Sequence, residues 1–217
     1  MTRLLLRTML LGNLAFCVTA QEMLTPPGQV KFTSINYRNV LHWVAPTNST
    51  SLHYNVQYKI YGEMDWLKVS SCQGIRRHKC DLSNVTSDTT EWYYAQVQAT
   101  SVASSSKSAW ALSPRFSPRW DTKISPPDVK INSSKQGIVI QVKAARLLVH
   151  KMHSSVEYKV YVLHNGKEDM YDITCCSHKL TLTKLNPKTQ YCVQAETVIF
   201  RHMKSSDRSS AKCITTP

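Results

Sequence analysis

The chain has 217 residues, of which 42% are hydrophobic and 19% charged, so it is too apolar for an intrinsically disordered protein. Its 6 Gly and 9 Pro exclude a collagen-like or linker-type sequence. Lys and Arg number 27 against 14 Asp and Glu, and the net charge of +13 is compatible with partners as different as nucleic acid, anionic glycans and acidic proteins.

The first twenty residues have the composition of a secretory signal peptide. Arg3 and Arg7 lie in a Leu-rich start, an apolar run extends to Phe16, and the small residues Val18–Ala20 follow. We therefore expect residues 1–20 to be removed and the mature chain to be secreted and extracellular, with no nucleic acid as partner. The rest of the sequence has no apolar run of 18 residues, so we expect no membrane span.

Six cysteines follow the signal segment, and an even number in an oxidising compartment indicates disulfides. Cys72 and Cys80 enclose a short loop, and Cys192 and Cys213 enclose a longer one that would join adjacent strands near the end of the chain. The neighbours Cys175-Cys176 would point to opposite faces of a strand. A strained vicinal disulfide, two free thiols and an intermolecular bond all remain open for that pair.

Three Asn-x-Ser/Thr sequons agree with a secreted surface, and we expect glycans at Asn48, Asn84 and Asn132. The sequence carries no motif for catalysis or phosphate binding, so we do not expect an enzyme. No Cys–His combination has zinc-ligand spacing, and His150 and His153 are expected to be solvated. We therefore predict no metal and no cofactor.

Two halves of the sequence resemble each other. Pro26-Pro27 recurs as Pro126-Pro127, and Tyr93 at the head of an alternating apolar run recurs as Tyr191. The segment Tyr58–Tyr61 likewise recurs as Tyr158–Tyr161. A period near one hundred residues is too long for a solenoid and indicates duplicated domains. We place a first module at 21–122 and a second module at 123–217.

Short alternating runs separated by turn residues predict antiparallel strands throughout, and hence an all-β fold of two sandwiches. The pattern Leu185-x-Pro187-x-Thr189-x-Tyr191 puts a tyrosine at the start of a late strand, as in fibronectin type III modules, which both halves resemble. Tyr93 takes this position in the first module without the Leu-x-Pro lead-in. We expect Trp43 in the first core.

The segment between the modules, 117–127, is short and contains Trp120. We expect Trp120 to pack at the joint and to fix the two modules as an elbow. The alternative is a solvent-facing Trp in a loose linker.

Positive charge is concentrated in the second module, which contains 15 basic and 7 acidic residues. The densest basic run, Ile75–Lys79, nevertheless lies in the first module, inside the short Cys72–Cys80 loop. We favour an ordinary solvated loop there over a heparan sulfate site. Heparan sulfate stays a second candidate partner.

Two fibronectin type III-like modules, with one Cys pair in the middle of the first and another at the end of the second, occur together with three motifs. These motifs are Tyr58–Trp66, Tyr93–Ala99 and Pro114–Pro118. This combination resembles the ectodomains of class II cytokine receptors, and most of all their soluble, interleukin-22-binding branch. The resemblance implies an elbow of two sandwiches that binds a helical interleukin-22-like cytokine. It further implies a decoy without an anchor, in agreement with an end at Pro217.

The family's ligand loops, carried onto this sequence, predict a first binding segment of Lys59, Tyr61 and Gly62, with Tyr61 as the aromatic anchor. A second segment, Ala103–Ser108, would contribute Ser105 and Lys107. The second module would contribute 147–153 and 200–204, including Arg201. The competing interpretation of Tyr61 is a strand tyrosine at the edge of the core, as the parallel Tyr161 suggests.

Three other functions remain open. The first alternative is a soluble splice form or the ectodomain of a signalling class II receptor. Tissue factor resembles the same two-module architecture, so a protease cofactor is a second alternative. A heparan-binding matrix module is a third.

Overall fold

A computed structural model describes residues 24–47, 51–143, 149, 152–153, 155–174, 179–200 and 203–217. Several predictions of the sequence concern residues outside these ranges: the signal peptide 1–20, the sequon at Asn48, the Cys175-Cys176 pair, His150 and Arg201. In the described part of the chain, no helix has the length and apolar character needed to cross a membrane.

The first module is an antiparallel sandwich of a three-stranded and a four-stranded sheet. Its strands are β1 (Gly28–Ile35), β2 (Arg38–Val44), β3 (Leu52–Ile60), β4 (Leu67–Lys68), β5 (Lys79–Asp81), β6 (Tyr93–Ser101) and β7 (Ala111–Leu112), with a 3-10 turn at Ser70–Cys72. The sheet orders are β1-β2-β5 and β4-β3-β6-β7. Alternate side chains along β2 and β3 are buried, as expected where one face of each sheet packs on the other.

A four-residue helix, α1 (Pro118–Asp121), connects the sandwiches. The strands of the second module are β8 (Asp128–Ser134), β9 (Gly137–Lys143), β10 (Glu157–His164), β11 (Lys167–Ile173), β12 (Lys179–Leu182), β13 (Gln190–Ile199), β14 (Lys204–Ser205) and β15 (Lys212–Thr215). They form two sheets, of order β12-β9-β8 and β11-β10-β13-β14, and β15 also pairs with β13. The predicted all-β fold is confirmed, whereas the module boundary after residue 122 remains a prediction.

Both sandwiches are closed by core residues that the sequence indicates. Trp43 is 4% exposed and lies in the first core, as predicted. The hydroxyl of Tyr93 donates to the carbonyl of Asp88 at 3.0 Å, and the hydroxyl of Tyr191 accepts from the backbone N–H of Asn186 at 2.9 Å. Both modules therefore contain the corner in which a buried Tyr ring satisfies a backbone group.

Among the described residues, each module contains one disulfide. Cys72 and Cys80 join the 3-10 turn to β5 inside the first core. Cys192 and Cys213 are opposite each other on β13 and β15, with their Cα atoms 4.0 Å apart. Each closes a short loop and in the chain-entropy model stabilises its module by roughly 3 kcal/mol.

Tyr37, not Trp120, packs at the junction of the two modules. Tyr37 belongs to the first module by sequence but is buried in the core of the second, where its hydroxyl is hydrogen-bonded to His153. Trp120 is 55% exposed, with the guanidinium of Arg119 over its ring, so the prediction that Trp120 fixes the joint is wrong. The prediction that His153 is solvated is also wrong, because it is buried against Tyr37.

Backbone pairing extends this junction. The N–H of Asn36 donates to the carbonyl of Lys123 at 2.8 Å, and the N–H of Lys123 donates to Ser34 at 2.9 Å. The ammonium of Lys204 donates to the carbonyls of Arg119 and Trp120 at 3.1 Å and of Thr122 at 2.5 Å. The second module therefore caps the carbonyl end of α1, the position where a cation is most favourable.

Candidate functional site

The candidate site lies at the end of the first module from which the connection to the second module departs, here called the linker end. β3 stops at Ile60, and Tyr61 follows immediately, with its backbone N–H donating to the carbonyl of Trp92 at 2.7 Å. Tyr93 and Phe116 bond each other's backbones next to this point, and Phe116 leads directly into α1. Tyr61 therefore lies beside the elbow, as the sequence predicts.

The ring of Tyr61 is exposed yet fixed in place. It is 56% exposed, and its neighbours restrict it from two sides. The guanidinium of Arg115 lies 5.4 Å from the Tyr61 ring centroid and 4.2 Å from that of Trp92, while Tyr94 lies at 6.2 Å. Cation–π contacts of this kind hold an aromatic ring without covering its outer face.

Lys59, near the end of β3, and Gly62, directly after Tyr61, also shape this corner. Lys59 places its ammonium 5.1 Å from the ring centroid of Trp66 and donates to the carbonyl of Glu63 at 3.3 Å. Gly62 has a φ of +95°, which a residue with a side chain rarely adopts. The backbone therefore reverses directly after Tyr61 and leaves its ring at the tip of the strand connection.

Ser105 and Lys107 are not part of this corner. They follow β6, whose last residue, Ser101, pairs with Leu52 at the start of β3, whereas Tyr93 pairs with Ile60 at its end. Because β3 and β6 are antiparallel, the loop after β6 lies at the far end of the module from Tyr61. The prediction that Ala103–Ser108 joins the elbow surface is wrong for this geometric reason.

The second module presents its own exposed side chains near the elbow. Phe200 and Met203 are 54% and 97% exposed and follow β13. The next residue, Lys204 of β14, donates to the Thr122 carbonyl in the linker, which places this segment near the elbow. Met152 packs partly against the second core. The predicted segments 147–153 and 200–204 are described only in part, so the roles assigned to them stay predictions.

Three residues of the corner were not selected by sequence reasoning: Trp92, Tyr94 and Arg115. Trp92 and Tyr94 flank the predicted corner residue Tyr93, so their side chains had to point away from the core by strand alternation. That signal was available. Arg115 had none, because only the pairing of the segment after β7 with the start of β6 brings it over Tyr61.

The described ranges also bear on the metal sites and glycosylation sites considered from the sequence. No group of three metal-ligating side chains occurs in them. Asn84 is exposed, in agreement with a glycan there, while Asn132 lies in β8 with its side chain exposed. Both remain predicted glycosylation sites.

Comparisons with known proteins place this geometry in a family. The tissue factor family model matches residues 3–110, and the fibronectin type III model of the interferon-alpha/beta receptor matches residues 122–217. The solved chicken interferon gamma receptor alpha chain superimposes with a TM-score of 0.77 over 89% of this chain and 99% of its own, at 23% identity. That likeness confirms the fold of two fibronectin type III sandwiches.

Sequence relatives agree. Human interleukin-20 receptor subunit alpha is 34% identical over 94% of this chain, although the chain spans only 38% of that relative's length. Mouse interleukin-22 receptor subunit alpha-2 is 32% identical over 96% of this chain and 97% of its own length, and the human protein is 29% identical over 88% and 89%. This is a family of receptor ectodomains rather than enzymes, as predicted. The chain belongs to the class II cytokine receptor family.

Proposed function

We propose that this chain binds a helical cytokine of the interleukin-22 class at the linker end of the first module, with Tyr61 as the central anchor. The observation that carries the proposal is the Tyr61 ring, which is 56% exposed while its backbone N–H is bonded to Trp92 and the Arg115 guanidinium contacts one side of the ring. A fixed aromatic ring buries a large area on binding and loses little conformational entropy.

The ligand class is supported by the relatives. Mouse interleukin-22 receptor subunit alpha-2 matches nearly end to end, and bovine interleukin-22 receptor subunit alpha-1 is 38% identical over 58% of this chain. The interleukin-20 receptor relative favours the interleukin-20 class as a second candidate ligand. Both cytokines therefore belong in the binding test.

Surface plasmon resonance with the purified mature chain tests the proposal directly. We expect saturable binding of an interleukin-22-class cytokine, with weaker or no binding of an unrelated helical cytokine at the same concentration. Saturation by the interleukin-20 class alone would reassign the ligand. Absence of saturable binding to any cytokine of the family would overturn the proposed function.

We further propose that the chain acts as a secreted decoy. In this role the bound cytokine is withheld from the signalling receptors because the chain covers the same surface. In cells that respond to the cytokine, added chain should lower the response in proportion to the fraction of cytokine bound. The ectodomain of a signalling receptor would do the same when purified, so location separates the two: we expect the native protein in the medium, and recovery in the membrane fraction would contradict the decoy role.

A protease cofactor is the second candidate, favoured by the match of residues 3–110 to the tissue factor model. It predicts that mixing the chain with a serine protease raises the rate of substrate cleavage. Cytokine capture predicts no such change. The two functions are therefore distinguished by one activity assay that contains no cytokine.

A further inference from the structure

The outer face of the β1-β2-β5 sheet carries a row of basic side chains. Strand register places Lys31 opposite His42, and His42 opposite Lys79, so that each of three adjacent strands contributes one member. Because neighbouring strands lie about 4.8 Å apart, the three Cβ atoms fall within roughly 10 Å. Leu41 and Trp43 on either side of His42 are buried, which shows that this row faces away from the core.

A shallow depression widens the row into a binding surface. Its volume is about 320 Å³, and Arg77 lines it together with His42 and Lys79. The segment that carries Arg77 is tied at both ends by the Cys72–Cys80 disulfide, so its position is fixed relative to the sheet. Arg76 lies elsewhere, with its Nε at 3.2 Å from Nε2 of His53. The basic run of the sequence therefore divides between two surfaces.

The acidic residue at this depression is already satisfied. The carboxylate of Asp81 accepts from Nε of Arg38 at 3.1 Å and from the Ser83 hydroxyl at 2.6 Å. Its two oxygens are thus directed to Arg38 and Ser83 rather than to the row. Lys31 and Lys79 lie on either side of His42 across the sheet, so their like charges repel each other through space. A bound polyanion would remove that repulsion.

His42 lies between the two lysines and responds to them. Burial, together with the charges of Lys79 and Lys31, lowers the pKa of His42. The lowered pKa favours the neutral form of the imidazole. Besides Lys79, the charged groups that line the depression are Arg77, Arg38 and Asp81. An anion placed over the row would raise the pKa of His42 and favour proton uptake. Binding should strengthen as the pH falls from 8 towards 6.

We propose that this face binds a linear sulfated polysaccharide of the heparan sulfate class, with Lys31, Arg77 and Lys79 as the contacts to sulfate groups. The row crosses three strands on an open surface, which suits an extended polymer with regularly spaced anions. A nucleic acid is the less favourable occupant, because the row of Lys31, His42 and Lys79 includes no aromatic platform for stacking bases.

This site is separate from the proposed cytokine site. Tyr61 follows β3 in the other sheet of the sandwich, whereas the row lies on β1, β2 and β5. The proposal therefore does not depend on cytokine binding, and each can fail without the other.

Heparin affinity with matched charge variants tests the proposal. The test variant is Lys31→Gln with Lys79→Gln, and the control is Lys130→Gln with Lys143→Gln, which removes the same charge from exposed strand positions of the second module. We expect the test variant to bind a size-defined heparin oligosaccharide about tenfold more weakly at about 150 mM NaCl, and the control within about twofold of wild type. Fully desulfated heparin should not bind.

A third variant, Lys31→Arg with Lys79→Arg, keeps the charges and should retain affinity, which separates loss of the site from loss of the fold. Thermal unfolding of all variants checks the fold independently. Equal weakening of the test and control variants would overturn the proposal, since net charge alone would then explain retention. Tighter binding of a single-stranded oligonucleotide than of heparin, or no retention of wild type at about 150 mM NaCl, would overturn it as well.

Discussion

Tyr37 makes the junction possible at a cost in backbone conformation. Asn36 and Tyr37 form the two-residue turn between β1 and β2, with φ of +52° and +64°. Asn is common in such turns, but the second position strongly favours Gly, because a side chain there is strained. The strain persists because the Tyr37 ring enters the second core and its N–H donates to Thr122 Oγ1 at 2.9 Å. Sequence alone gives no sign of this role.

The Tyr37 hydroxyl should make the stability depend on alkaline pH. Burial raises the pKa of Tyr37 to about 12, and Arg119 opposes this in part. A pKa raised on folding stabilises the protein fully below the unfolded value near 10 and loses that stabilisation as the pH rises through about 12. We expect the free energy of unfolding of Tyr37→Phe, measured in guanidinium chloride, to fall less steeply than that of wild type between pH 10 and 12. Identical slopes would contradict this account.

The sequon at Asn84 includes a structural threonine. Thr86 is fully buried, donates to the carbonyl of Leu82 at 2.8 Å and accepts from the Asn39 amide at 2.8 Å. Asn39 in turn accepts from Ser34 at 2.6 Å. Thr86 therefore anchors a polar network next to the elbow.

Two substitutions at this sequon should behave differently. Thr86→Val removes both the glycan signal and the buried hydroxyl, and we expect it to lower the free energy of unfolding by about 2 kcal/mol. Asn84→Gln removes only the glycan signal at an exposed residue. Mass spectrometry and urea unfolding of both variants decide the matter, and a Thr86→Val protein as stable as Asn84→Gln would refute the role of the network.

The connections between strands explain where the sequence repeat agrees with the structure and where it does not. Asn165 and Gly166 form the two-residue turn between β10 and β11, with φ of +45° and +73°, as an Asn-Gly sequence favours. The Tyr58 and Tyr158 match, in contrast, is not structural. Tyr158 pairs with Thr197, and Tyr54 pairs with Ala99. Thr197 lies as many residues after the corner residue Tyr191 as Ala99 lies after the corner residue Tyr93. Tyr54 is thus the equivalent of Tyr158.

This register resolves the competing interpretation of Tyr61. Tyr161 lies inside β10, where its hydroxyl donates to Glu196 at 2.8 Å, whereas Tyr61 lies beyond the end of β3. The parallel with Tyr161 therefore gives no reason to treat Tyr61 as a core-edge residue. Local sequence similarity misled because the connection before β10 differs in length from that before β3. The far-end position of Ser105, in contrast, could have been predicted from alternating strand direction.

Gly137 at the start of β9 should tolerate no side chain. Its φ is +131°, and a Cβ built there lies 1.9 Å from the carbonyl oxygen of Leu182 on β12. We expect Gly137→Ala to lower the free energy of unfolding by more than about 4 kcal/mol, since backbone must move. Gly166→Ala is the control, because its φ is +73° but nothing lies within 4 Å, and about 1–2 kcal/mol is expected. Equal losses in urea unfolding would contradict this explanation.

The two modules behave as one unit because contacts cross the junction in both directions. The first module contributes Tyr37 to the second core, and the second contributes Lys204 to the linker. The sequence correctly indicated a fixed elbow but assigned it to Trp120. An interface formed by backbone carbonyls and one buried ring has no periodic signature, so composition and pattern could not reveal it.

Lys204 should stabilise this unit measurably. Lys204→Met keeps the length of the side chain but removes the donors to Arg119, Trp120 and Thr122, and we expect a loss of about 2 kcal/mol in the free energy of unfolding. Hydrogen exchange at the Asn36 and Lys123 amides should also accelerate. Lys123→Met, which changes an exposed linker lysine, should leave both quantities near wild type. Unchanged exchange in Lys204→Met would argue against the cap.

The off-rate of the cytokine from Tyr61→Ala tests the proposed function most directly. We predict that an interleukin-22-class cytokine binds Tyr61→Ala at least about 2 kcal/mol more weakly than wild type, mainly through faster dissociation, since a fixed aromatic anchor is lost. The paired control Ser105→Ala with Lys107→Ala lies at the far end of the module and should dissociate at the wild-type rate. An unchanged off-rate for Tyr61→Ala, or an equal acceleration in the control, would contradict the assignment of the linker end as the cytokine site.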